Sequence, residues 1–146
     1  MAKIKENFSA GEAARITGVP YRTLDHWART EFIAPSIASA DGIGTERKYA
    51  FSDLVSLRVA RELREGGVST QALRKVVARL RTLKKSHNPL ADSRLVVVGS
   101  DVQLVGDCQE VVSLLSRPGQ SVFAFMIDLG RVVQEVKAEV QLLRAA

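Results

Sequence analysis

The sequence predicts a mainly α-helical chain with small β elements, and three observations lead to that class. Apolar residues recur at helical spacing in four stretches between Ala13 and Leu83. After Ser86-His87-Asn88-Pro89 the pattern changes to short runs of β-branched residues. Finally, Val122, Met126, Leu129, Val133, Val136, Val140 and Leu143 are spaced alternately four and three apart, a heptad seam that predicts a long C-terminal helix. Because a proline disfavours helix in the residue before it, the predicted division falls here, into residues 1–86 and 87–146.

The first helix is announced by Phe8-Ser9-Ala10-Gly11-Glu12, in which Ser9 caps the backbone and Glu12 reaches back as a capping box. Ala13, Ala14 and Ile16 supply its apolar side. Thr17-Gly18-Val19 breaks it, and Pro20 suits the first position of a second helix, where its missing N–H is not needed. On that helix Leu24 and Trp27 point inward, making Trp27 a core residue, while Arg22, His26 and Arg29 form an outward basic stripe. Asp41-Gly42-Ile43-Gly44 reads as a hairpin turn, followed by a return strand from Thr45 to Phe51. Gly42-Ile43-Gly44-Thr45-Glu46-Arg47 starts like a dinucleotide fingerprint, but Arg47 holds the last glycine position and no βα unit precedes it.

Ser52 is the expected cap of a third helix ending at Arg64 or Glu65, closed by Gly66-Gly67, and Ser69 caps a fourth. That helix opposes Leu73, Val76, Val77, Leu80 and Leu83 to a basic solvent face. Beyond the boundary, Leu95–Val98 and Val102–Val105 read as a hairpin around Gly99-Ser100-Asp101, Val111–Leu115 as strand or helix, and Arg117–Gln120 as a turn.

Composition excludes several classes. The 146 residues, 46% hydrophobic and 25% charged, match ordinary globular usage. Val122–Ile127, six residues, is the longest apolar run, against the roughly 20 that a membrane span needs, and the N-terminal stretch lacks an apolar signal core. The chain reads as soluble and cytoplasmic. Cys108 is the sole cysteine and His26 and His87 are far apart, so neither a disulfide, a metal cluster nor a cofactor is expected. No nucleophile–base pattern is present, which excludes an enzyme. Residues 1–85 hold sixteen basic and nine acidic side chains, a balance of +7; residues 86–146 hold five and seven, a balance of −2. That asymmetry suggests a basic module facing a polyanion.

Two short helices joined by a tight turn, a basic hairpin and a following helix pair make a winged helix-turn-helix, whose second helix can enter a DNA major groove. Phe8-Ser9-Ala10-Gly11-Glu12-Ala13-Ala14, Thr17-Gly18-Val19-Pro20, Thr23-Leu24, Trp27, Arg47 with Tyr49, Asp53-Leu54 and Leu63-Arg64-Glu65-Gly66-Gly67-Val68-Ser69 resemble, in order and spacing, the DNA-binding domain of MerR-type transcriptional regulators. The resemblance implies a homodimer that binds a palindromic promoter in double-stranded DNA and distorts its spacer so that RNA polymerase aligns with both promoter elements. It places Arg22, Thr23, His26 and Arg29 on the recognition helix and Arg47, Lys48 and Tyr49 on the wing. Tyr49 has two roles open to it, plugging the wing to the core or touching a phosphate. Asp25 departs from the basic residue common at its position; a carboxylate there repels phosphate but can accept from a cytosine amino group.

The seam at Val133, Val136, Val140 and Leu143 is the expected dimer contact, because its apolar stripe narrows after Val133. The arrangement after Pro89 is also similar to the tails of winged-helix antitoxins that hold a PIN-type toxin inactive while repressing their own operon. A dimeric transcription regulator and a toxin-neutralising protein are therefore the two readings.

Overall fold

In the computed structural model of the chain, the described residues are 7–37, 47–98, 101–106, 111–114 and 124–145. The expected turns at Asp41–Gly44, Gly99-Ser100 and Arg117–Gln120, the wing residues Thr45 and Glu46, and Val122 and Cys108 lie outside them.

The first element is one that the sequence did not announce. Phe8–Ser9 forms β1, paired antiparallel with β2, Lys48–Tyr49, through Phe8↔Tyr49 and Ser9↔Lys48. Two residues are too few to show an alternation, so only the tertiary pairing reveals the strand. Ser9 also caps α1, Ala10–Thr17: its Oγ accepts the Glu12 amide at 3.1 Å while Glu12 Oε1 accepts the Ser9 amide at 3.0 Å. Gly18 ends this helix at φ 76°, a left-handed conformation in which an added Cβ would run into the Arg61 guanidinium.

Helix α2, Tyr21–Arg29, follows Pro20, which stands at the cap one position earlier than expected. Leu24 and Trp27 are buried as predicted, and Trp27 meets Phe32 edge to face, ring centroids 5.3 Å apart. Helix α3, Phe51–Glu65, starts one residue before the expected cap. Ser52 is not that cap; Asp53 Oδ2 accepts the Ala50 amide at 2.8 Å instead. Helix α4, Thr70–Leu83, is capped by Ser69 Oγ as expected, at 3.1 Å from the Ala72 amide.

A short α5, Pro89–Asp92, leads into β3, Arg94–Val98, and β4, Asp101–Val105. The expected two-stranded hairpin is the centre of a larger sheet: β5, Val111–Ser113, and β6, Ala124–Met126, flank it in the antiparallel order β5-β4-β3-β6. The long final helix is correspondingly shorter than the seam. Met126 belongs to β6, paired with Val96, and α6 runs from Leu129 to Ala145.

Helix α6 packs against α1 and α3 of its own chain. Val132, Val136 and Val140 are 0%, 1% and 5% exposed, and Val133 and Leu143 are half-buried against the same core. This corrects the expected dimer seam: the surface of Val136 and Val140 is already buried within the protomer. Ion pairs fasten the same contact. Arg131 meets Glu62 at 2.8 Å and Glu135 at 3.0 Å, and Arg58 meets Glu135 at 3.1 Å. One cluster of buried residues runs from Phe8 to Val140, shared by the segments before and after Pro89.

Candidate nucleic-acid interface

The outward face of α2 carries Tyr21, Arg22, His26 and Arg29, all exposed, with Thr23 half-buried between them. The side chains of Arg22 and His26 have no ion-pair or hydrogen-bond partner among the described residues, which leaves them available to a ligand. Arg29 is anchored. Its Nη2 lies 2.8 Å from Asp25 Oδ2, while Arg47 Nη1, from the wing, lies 2.7 Å from Asp25 Oδ1. Helix α2 and the segment entering β2 are thus joined by one carboxylate gripped between two guanidiniums.

That arrangement accounts for the sequence's departure at Asp25. The hydrogen bond from Arg47, and then the charge of Arg29, hold the Asp25 carboxyl below its usual range. A carboxylate with a depressed folded-state value contributes above its unfolded value and is lost only as pH falls through the lowered one, so the bridge is intact across neutral pH. Asp25→Ala frees both arginines and removes a negative charge from the face. The salt slope of binding to a random duplex is expected to steepen by about 0.9 as Arg29, released from the bridge, gains a phosphate, with a loss of sequence discrimination as the wing loses its anchor on α2. Titrations at several salt concentrations check this; an unchanged slope would mean that the freed Arg29 does not reach the backbone.

Beside α2 lies an open groove of about 590 Å³, lined by Val19, Pro20, Arg22, Thr23, His26, Trp27, Arg61, Arg64 and Thr70. Arg61 donates to the Thr17 carbonyl at 3.1 Å and to Glu65 at 2.9 Å, and Arg64 donates to the Val68 carbonyl at 3.2 Å, so both guanidiniums are held at its rim. Sequence reasoning missed these two. Helical spacing puts them on the polar side of α3, but their meeting with Arg22 depends on how α3 crosses the turn between α1 and α2.

Lys48 is exposed on β2 and joins the basic surface. Tyr49 does not. Its ring is fully buried, and its hydroxyl has no hydrogen-bond partner among the described residues, so of its two roles the structure selects the plug; the phosphate contact is withdrawn. Burial pushes its hydroxyl up to about 12. The folded state therefore favours the neutral phenol, and the stability it contributes is lost as pH rises from the unfolded value near 10. Tyr49→Phe keeps the ring and removes an unsatisfied buried group, so its thermal midpoint is expected to match or exceed the parent's. The gain is about 1 kcal/mol and the alkaline loss is abolished, as melts at pH 8 and pH 11 can show. A large drop at pH 8 would reveal a partner for the hydroxyl.

Among the described residues no group of three or more His, Cys, Asp or Glu side chains could hold a metal ion, and no helix is long and apolar enough to cross a membrane.

Helices α1 to α3, most of α4 and the paired strands β1 and β2 fall in the span of a matching family model, described as MerR HTH family regulatory protein, which covers residues 8–80. The chain belongs to the MerR family. Similar proteins include ones named as uncharacterized HTH-type transcriptional regulators from Mycobacterium bovis and from Mycobacterium tuberculosis. Each is 38% identical over 116 residues, which is 80% of this chain and 50% of the relative. The chain spans about half the length of the curated relatives it matches. In this MerR-family chain α2, Arg47, Arg61 and Arg64 all lie inside the matched span; the four-stranded sheet and α6 lie beyond it.

Proposed function

We propose that this MerR-family regulator binds a specific double-stranded sequence as a homodimer and acts in the cytoplasm through that binding, without catalysis. The observation that carries the reading is the Arg47–Asp25–Arg29 bridge, which presents wing and recognition helix as a single basic surface. Arg22, Thr23 and His26 stand where base edges would lie, and Arg47 and Lys48 where the adjacent backbone would pass. One winged helix covers one half-site, so a two-fold pair of chains suits a palindrome. With Val136 and Val140 inside the protomer and Val133 and Leu143 half-buried against the same core, the large apolar residue that α6 leaves exposed is Leu142. The antitoxin alternative has no observation in its favour.

Selection of a preferred duplex from a random pool tests this, with light scattering of the complex to count chains. Arg22→Ala is expected to change the selected sequence at one position of each half-site and weaken binding by about 1–3 kcal/mol. Arg47→Ala is expected to weaken binding to all sequences alike and lower the salt slope by about 0.9. Enrichment of no sequence by the parent protein would overturn specific binding, and a one-to-one complex on the selected duplex would overturn the dimer.

A further inference from the structure

The carboxylate of Asp53 is fully buried, and among the described residues hydrogen bonds rather than an ion pair satisfy it. Oδ2 accepts the Ser36 amide at 2.8 Å, the Ser36 hydroxyl at 2.7 Å and the Ala50 amide at 2.8 Å. Those two residues bracket the wing. Ser36 stands where the chain leaves for it, and Ala50 directly follows β2 where it returns; the Ile37 amide donates to the Lys48 carbonyl at 3.3 Å between them. A single oxygen therefore gathers both ends of the wing.

The other oxygen, Oδ1, accepts Nδ2 of Asn88 at 2.7 Å. Asn88 belongs to the junction that leads through α5 into β3, and it is almost fully buried. Its amide is itself held on three sides: Nδ2 also donates to Ser52 Oγ at 3.0 Å, Ser56 Oγ donates to Oδ1 at 3.3 Å, and the backbone N–H donates to Ser86 Oγ at 3.2 Å. A carboxylate turns about a soft sp³–sp² torsion, so a fixed donor on one oxygen sets where the other one points. Without it, Oδ1 is left as a buried acceptor lacking its partner, and the carboxylate that holds Ser36 and Ala50 loses the one donor that ties it to the junction before β3.

We propose that Asn88 is a positioning residue for DNA binding, which fixes the two ends of the wing through Asp53 and thereby sets Arg47 against Asp25 of α2. The segment that begins the C-terminal sheet is by this route coupled to the DNA-facing surface. The proposal rests on the DNA-binding reading above, and its test includes a measurement made without DNA.

In the free protein, Asn88→Ala is expected to speed amide exchange at Ser36 and Ala50 about tenfold relative to amides in the middle of α3, a local opening rather than a global one. On the duplex selected by the parent, it is expected to weaken binding about tenfold, within the range of couplings between residues of one network. The salt slope should fall by about 0.9, the loss of the Arg47 contact. Combined with Arg47→Ala, it should bind no more weakly than Arg47→Ala alone, because both changes remove the same contact. A merely structural asparagine would lower the melting temperature but leave the slope unchanged, and the two affinity losses would multiply. That result, or parent-like exchange at Ser36 and Ala50, overturns the proposal. Should Asn88→Ala fail to fold, Ser52→Ala/Ser56→Ala releases two anchors of its side-chain amide and is expected to give the same pattern at about threefold. If the parent enriches no duplex, the DNA-binding reading falls, while exchange at the two amides still decides whether Asn88 holds the wing.

Discussion

Val136→Asp is expected to unfold this protein rather than to separate two copies of it. The side chain is 1% exposed between α6, α1 and α3, where a carboxylate would lose hydration without gaining a dedicated partner. An uncompensated buried charge costs about 3–5 kcal/mol, a large part of the roughly 5–15 kcal/mol that holds a domain together. The change also pushes α6 away from the Arg131–Glu62 and Arg58–Glu135 pairs, which depend on its seat. Thermal melts followed by circular dichroism, with light scattering at low temperature, check this. Ala138→Asp, on the exposed side of the same helix, is the control and should melt within about 0.5 kcal/mol of the parent. A Val136→Asp protein that melts like the parent but sediments as a smaller species would return Val136 to a subunit interface.

Trp27→Ala is expected to be a folding lesion of similar size. Removing a packed aromatic costs about 3–5 kcal/mol. Here it also leaves Phe32 without its edge-to-face neighbour, a contact worth about 0.5–1.5 kcal/mol beyond area burial. Phe32 is the ring over which Arg74 of α4 sits, 4.7 Å from its centroid, so the loss spreads from α2 to the seat of α4. Trp27→Phe, which keeps a ring in the same space, should retain most of the stability and the DNA binding. Comparison of melting midpoints with duplex titrations decides the matter. If Trp27→Ala melts like the parent and fails to bind DNA, the indole is a contact at the groove wall and not a support.

The elements legible in the sequence are those whose signal is local. The capping box at Ser9 and Glu12, the inward pair Leu24 and Trp27, the Ser69 cap and the apolar stripe of α4 each lie within a few residues of their partners. The same holds for the paired strands β3 and β4, whose short turn and β-branched runs are contiguous. Where local chemistry allowed two outcomes, the reading slipped. Ser52 is as good a cap by composition as any serine, but the Ala50 amide bonds to Asp53, whose carboxylate Ser36 and Asn88 also hold from a distance in sequence. The heptad through Met126 is real as spacing, yet its early part pairs with Val96 in a sheet, since a seven-residue period does not distinguish a helix from a strand that happens to precede one.

By itself, then, the sequence determined that residues 8–80 form a MerR-type winged helix, that Arg22, His26 and Arg29 face outward, and that Trp27 faces in. These follow from the 3.6-residue period and from caps that need only near neighbours. Tertiary structure alone decided that Asp25 bridges helix and wing, that Tyr49 is a plug, that Arg61 and Arg64 border the groove, and that Val136 and Val140 lie within the protomer. In each case the partner is distant in sequence. Arg47 lies 22 positions beyond Asp25, and α6 follows α3 only after α4, α5 and the strands β3 to β6. An apolar stripe or a charge states that a surface needs covering; only packing assigns what covers it.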